Sequence, residues 1–498
     1  MKININHIIS ALTIVFITSA CDNWLDVTSS DEIRAEDQFN TEAGFKDALM
    51  GIYINMTDPA AYSKDMTWNM VDILSHQYSS LPDIADYFGI QEFQYHSTKS
   101  VPQIKAVWTR MYNCIANVNS ELGYMEDNGG ILDPINYSII KGELLGLRAF
   151  LHFDLMRLFG HSNVANRSDI SSKFAIPYVS DYAKDMTAQL SYEETFGLML
   201  TDINDALELL KNDPIYADAN RPANYYDEVN RRGFYNNREN RMNYYAVQAL
   251  KARVLMWAGG QANIEEAGSI AKDVITNAPV SLINSQTHNI TKDPVLYQEH
   301  LFSLNITAFT DIVDQYIDAS RADNEDALFL STTTAASVYE TGSVNIGVVD
   351  IRYNTLLEDQ TLGKACVKLR QKGGNVRNEN GHINMMPLIK LSEMYYIVAE
   401  SDLKKAVPNI TEAIQFLNTV RASRGILQDI PADADAETAN AELIKEYQKE
   451  FVYEGQLFFF YKRNGIENIP GLSAGTIIDD NEYMLPFPDG EQEFGRIQ

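Results

Sequence analysis

The chain is poor in cysteine and histidine, with three and eight among its 498 residues. Three thiols cannot build the dense disulfide framework of a small secreted domain, and no Cys/His spacing matches a zinc site. Positive charge is also scarce. Lys and Arg number 40 against 68 Asp and Glu, for a net charge of −28. Such a surface repels polyphosphates, which argues against nucleic acid as a partner, and disfavours docking on an anionic leaflet through a basic patch. No segment offers the roughly 20 apolar residues that a membrane-spanning helix needs. H-E-x-x-H, P-loop and Rossmann glycine patterns are missing, so no metal or cofactor is expected. One catalytic string matches literally: "GLSAG", Gly471 to Gly475. A nucleophile elbow requires a strand before it, a helix after it and a histidine later in the chain. No histidine follows His382. Carboxylate pairs suited to glycoside hydrolysis are inevitable among 68 acidic residues and so carry no signal. The chain is expected not to be an enzyme.

One short apolar run is present, at the start. Lys2 precedes Ile8 to Ile17, and the small residues Ser19 and Ala20 lead into Cys21. Basic residue, short apolar core and small residues, in that order, make a secretion signal. The cysteine directly after it resembles a bacterial lipoprotein lipobox. This implies cleavage after residue 20 and acylation of Cys21, which would supply the membrane attachment. The acidic residues Asp22, Asp26, Asp31 and Glu32 are read as a surface-export signal. Cys114, inside a helical pattern, and Cys366 are expected to be free thiols.

Helical periodicity dominates the rest. Leu144, Leu147, Leu151, Leu155 and Leu158 recur at three or four residues, and so do Phe196, Met199, Ile203, Leu207 and Leu210. Ser191 with Glu194 predicts a capping box at the start of the second segment. Val247, Leu250, Val254 and Trp257 share a face, with Ala246, Ala249 and Ala252 on another, and "IEEAGSIAKDVITNAP" follows. Later, "LIKLSEMYYIVAESDL" precedes "NITEAIQFLNTVRASRG". Helix, short turn, helix, with small residues at packing positions, is the tetratricopeptide plan. The expected fold is mainly α: tetratricopeptide-like helix pairs in an α-α superhelix, with long loops and a few short strands. Residues 21–498 are read as one domain behind the signal of residues 1–20. "LFSLNITAF", "ALFLSTTT" and "NIGVVDIRY", between Ser281 and Asn384, are read as β-leaning runs. The Asn/Arg/Tyr-rich stretch from Tyr216 to Arg241 is read as a surface loop.

Aromatic residues are plentiful outside the helices. Tyr78, Tyr87, Phe88 and Tyr95 lie in one irregular stretch, and Phe309, Tyr316, Tyr339 and Tyr353 in another. An exposed ring offers a flat apolar face to the C–H face of a sugar or to a peptide side chain, while a Tyr hydroxyl hydrogen-bonds. A helix pair spends its rings on its neighbour, so rings free to stack should sit where the chain leaves the scaffold. On that ground Tyr78, Tyr87, Tyr316 and Tyr339 are the candidate ligand-binding residues, and the Tyr216–Arg241 loop is the next place to look.

Taken together, the motifs resemble the SusD/RagB family of Bacteroidetes nutrient-uptake lipoproteins. The resemblance covers nearly the whole chain. It is carried by "CDNWLDVTSSDEIRAEDQFNTEAGFKDALMGIY", by Leu147-Arg148-Ala149-Phe150, and by "MPLIKLSEMYYIVAES" with Ala399-Glu400. Lys390 stands there where the family more often has arginine. Glu450, Glu454, Gly455, Gln456, Lys462 and Arg463, then "MLPFPDGEQEFG", complete it. The resemblance implies a lipid-anchored, surface-exposed outer-membrane protein. It would capture oligo- or polysaccharide for import through a partner SusC-like TonB-dependent channel. Peptide binding, as in some members, and a surface glycoside hydrolase on a helical scaffold are the alternatives.

Overall fold

The structure, a computed structural model, describes residues 35–183, 185–218, 220–370, 383–473 and 475–494. Cys21 and the signal lie outside the described residues. Helix α1 (Glu42–Met56) starts where the Thr41 hydroxyl accepts from the amide of Gly44 at 3.0 Å, and buries Phe45, Leu49, Ile52 and Met56. Helices α2 (Ser100–Asn128) and α3 (Pro134–Phe159) are joined by a short turn. Asp133 caps α3 and Pro134 opens it, where a missing N–H costs nothing. From Ile139 to Phe159 nearly every side chain of α3 is buried. The reason is packing on several sides: α3 meets α1, α2 and α4 (Tyr192–Leu209). The capping box at the head of α4 forms as expected, with Ser191 and Glu194 exchanging side-chain and backbone bonds.

The array continues through α5 (Tyr244–Ala258) and α6 (Gln261–Asn277). Gly259 and Gly260 turn the chain between them at φ of +68° and +80°, a region that favours glycine. After a long insertion holding α7 (Phe309–Ile317) come α8 (Leu391–Lys404), α9 (Ile410–Ser423), α10 (Ala436–Glu450) and α11 (Gln456–Asn464). Helices α2 to α6 each pack on the next, α6 packs on α8, and α8 to α10 continue the series. Gly268 lets α6 press on α8: a Cβ there would lie 2.4 Å from Ser401 Oγ. The fold is thus the mainly helical, tetratricopeptide-like stack that the periodicity predicts.

The strands are short and paired in twos. β1 (Phe174–Pro177) pairs with β2 (Gln189–Ser191), β3 (His300–Asn305) with β6 (Met385–Lys390), and β4 (Leu357–Asp359) with β5 (Lys364–Cys366), all antiparallel. The β3–β6 register, with Ser303 opposite Pro387 and Asn305 opposite Met385, pins the insertion to the head of α8. Two β-leaning readings are corrected. In "NIGVVDIRY", Asp350 accepts from the amide of Arg352 at 2.9 Å and caps a helical turn, Ile351–Asn354. In "ALFLSTTT", Leu330 makes a single bridge to Lys364, and Ser331 caps a helix over Thr332–Val338. In both places a local side-chain cap outweighs β-propensity.

A buried ionic layer holds the insertion against the last helices. Glu450 receives Lys390 Nζ at 2.8 Å, Arg424 at 2.7 Å and Arg352 at 3.0 Å. Arg424 also reaches Glu299 at 2.6 Å, Arg352 reaches Asp350 and Glu446, and Lys368 reaches Glu454 at 2.6 Å. The cations hold the Glu450 carboxyl well below the usual range against the upward pull of burial, and that of Glu446 at about 2. Other family-motif residues pair likewise. Arg148 makes two bonds to Asp202, joining α3 to α4, and Arg463 does the same to Glu400, joining α11 to α8. The motif residues Arg148, Lys390, Glu400, Glu450, Glu454 and Arg463 are therefore scaffold.

Candidate functional site

The two aromatic stretches singled out from sequence do meet. Ser79 donates its amide to the carbonyl of Phe329 at 2.8 Å, and Asp86 donates its amide to the Asp326 carboxylate at 2.7 Å. At this junction the rings of Tyr87 and Tyr316 stand edge to face, 6.2 Å apart, and Trp68 meets Tyr316 at 5.8 Å. Lys64 Nζ lies 5.0 Å from the centre of the Tyr87 ring and 5.2 Å from that of Tyr316. The same ammonium donates to the Tyr87 hydroxyl at 2.6 Å, which donates to Asp65 Oδ1 at 2.7 Å. Burial pushes the Asp65 carboxyl up to about 6, and pushes the Tyr87 and Tyr316 phenols upward. At neutral pH both phenols keep their protons and can act as donors. Tyr316 and Lys64 are half-buried, Asp86 and Ile84 are exposed, and Asp326 is half-buried. The junction thus holds one half-buried ring with a cation above it, beside the Asp86 and Asp326 carboxylates. Lys64, Asp65 and Trp68 belong to it without having been singled out. Their only signal in sequence is that they lie in the irregular chain after α1.

Three of the four candidate tyrosines are not free rings. Tyr78 is buried: its hydroxyl donates toward the carbonyl of Trp68 at 2.8 Å and Asp72 at 2.9 Å, and its ring lies 5.0 Å from Tyr453. Tyr339 is 2 % exposed and donates to the carbonyl of Lys449 at 3.0 Å. Tyr87 is buried behind Tyr316. The expectation of loop exposure fails here because these loops are laid on the core and anchored by their rings, each hydroxyl finding a buried acceptor. Tyr316 alone of the four is half-buried rather than buried, and it sits on helix α7 rather than in a loop.

Other readings can be placed. Cys114 and Cys366 are both buried and unpaired. His152 is packed, with Nε2 accepting the amide of Val179 at 2.9 Å, and burial pushes it down to about 3. Gly471 to Ser473 lie in turns with no strand before them, so no elbow forms. Among the described residues no cluster of His, Cys, Asp or Glu could hold a metal, and no helix is long and apolar enough to cross a membrane.

Comparison with known proteins settles the lineage. Residues 23–226 match a family described as starch-binding, associating with outer membrane, and residues 315–494 match the SusD family. The chain belongs to the SusD/RagB family. Solved structures agree on the fold. A SusD superfamily protein from Bacteroides thetaiotaomicron superposes with a TM-score of 0.72 at 21% identity, covering 92% of this chain and 99% of that one. A SusD-like carbohydrate-binding protein from Bacteroides vulgatus gives 0.66 at 16%, covering 91% and 96%. Surface glycan-binding protein A from B. thetaiotaomicron, in complex with laminarihexaose, gives 0.67 at 15%, covering 91% and 97%. No curated protein matched the chain. SusD-family proteins are binding proteins.

Proposed function

We propose that this SusD/RagB protein captures oligo- or polysaccharide at the cell surface and passes it to a SusC-like TonB-dependent channel in the outer membrane. Acylated Cys21 would keep it beside that channel, where tethering raises effective concentration, and residues 21–498 would act as one unit. The observation that carries the reading is the half-buried Tyr316 ring on α7, where that helix meets the stretch holding Tyr87, with Lys64 5.2 Å from its centre. A sugar laid on that ring would bring its hydroxyls to Lys64, Asp86 and Asp326. The glycan complex of a structural neighbour supports the same ligand class. Tyr87 would serve by holding Tyr316 and Lys64, and Tyr78 and Tyr339 by anchoring the loops.

Calorimetry against a glycan panel tests this. Tyr316→Ala should lower affinity on the order of ten-fold, the worth of roughly 1–2 kcal/mol of stacking, with little change in thermal midpoint. Normal binding by this variant would refute the site. Cys21→Ala should lose the membrane fraction in cells lacking the channel; retention there refutes the anchor.

A further inference from the structure

A second cleft of about 600 Å³ opens between α1, the segment 237–241 and β3. It shares no lining residue with the loop junction and lies in the size range of small-ligand sites. One wall is the face of α1 formed by Met50, Tyr53, Ile54 and Thr57, spaced three and four apart. Met50 is 39% and Ile54 68% exposed, although α1 has a buried face elsewhere to spend apolar residues on. The facing wall is mixed: Asn237, Asn240, Ser303 and Asn305 line it beside Leu304 and Met385, with the half-buried Tyr297 ring among them.

Charge narrows the ligand. Arg241 lines the cleft, but its Nε and Nη2 are taken by Glu143, both at 2.8 Å, and its Nη1 by the carbonyl of Phe234. Arg238 is taken by Asp213 and Glu143, so two cations meet two carboxylates and cancel. Glu239, which accepts the Tyr297 hydroxyl at 3.2 Å, has no cation partner among the described residues. Among the described residues the cleft therefore has no unpaired cation to offer, and one carboxylate that repels anions. An apolar helix face opposite an amide and hydroxyl wall, beside an aromatic ring, fits a pyranose chain with C–H faces on one side and hydroxyls on the other.

We propose that this cleft is a second carbohydrate subsite, selective for neutral saccharides over acidic ones. It shares the ligand class of the proposed function but none of its residues. The test uses the full mature chain, hydrogen exchange and calorimetry, with neutral gluco-, xylo- and mannohexasaccharides and an oligogalacturonate as probes. At least one neutral probe should protect the amides of residues 50–57 and 237–241, and should still do so in Tyr316→Ala. Tyr297→Ala should weaken that binding on the order of ten-fold. Ile54→Glu should weaken it comparably, since Ile54 is exposed and the new charge disturbs no core. Oligogalacturonate should not bind there. A cleft left unprotected by every probe, binding indifferent to both cleft variants, or preference for oligogalacturonate overturns the subsite. If Tyr316→Ala alone abolishes binding and the cleft stays unprotected, the subsite fails while the proposed function stands. If the cleft is protected and Tyr316→Ala binds normally, the loop junction fails and the subsite stands.

Discussion

Replacing Glu450 by Gln keeps the shape of the side chain and removes its charge from beneath three cations. Lys390, Arg424 and Arg352 lie 2.8, 2.7 and 3.0 Å from its oxygens, and Ser392 Oγ donates at 3.0 Å. All are buried, so the released positive charge cannot be hydrated. Removing one partner of a buried ion pair costs about 3–5 kcal/mol. For 498 residues, an unfolding entropy of about 2.1 cal/mol/K per residue gives about 1 kcal/mol/K. The midpoint should therefore fall by about 3–5 °C at pH 7. The pH dependence has a definite sign. The folded carboxyl sits well below its ordinary 4.5, so its stabilisation is complete above about pH 4.5 and is lost as pH falls toward the folded value. Glu446, at about 2, acts in the same direction. Scanning calorimetry of both proteins from pH 7 to pH 3 should show a gap that narrows on acidification. Because the layer holds the insertion that carries Tyr316, glycan affinity should also drop. A variant melting with the wild type at pH 7, or a gap that widens in acid, refutes the role given to this layer.

Two further outcomes follow from buried groups. Tyr78→Phe removes a hydroxyl shared by the Trp68 carbonyl and Asp72, and should cost about 1–3 kcal/mol by chemical denaturation while glycan affinity stays unchanged. A loss of affinity without loss of stability would return Tyr78 to the ligand surface. Glu121 has both carboxylate oxygens buried without a partner, and burial followed by the nearby Glu143 charge pushes its carboxyl well upward. Its folded form holds the proton more tightly than the unfolded chain, so it destabilises increasingly as pH rises above about 4.5. Glu121→Met should raise stability by about 1–3 kcal/mol at pH 7 and by less at pH 4; a destabilised variant counts against this account.

The helix stack was legible in the amino-acid sequence because its signals are local. A stripe such as Leu144 to Leu158 needs only the 3.6-residue period, and Ser191 with Glu194 needs only three residues of spacing. The order of the motifs was equally legible, and it named the family. What those motif residues do was decided by tertiary structure. Glu450 meets Lys390, Arg424 and Arg352 from three separate segments, and nothing local marks which carboxylate meets which cation. The same holds for the aromatics. Tyr78, Tyr339 and Tyr316 come from aromatic stretches of similar composition, yet the first two are buried and Tyr316 stays half-buried on α7. Burial of a loop ring depends on whether a distant acceptor, Asp72 or the Lys449 carbonyl, waits beneath it. The cleft beside Ile54 was invisible for the same reason: its walls come from α1, the 237–241 segment and β3, which only the packed chain brings together.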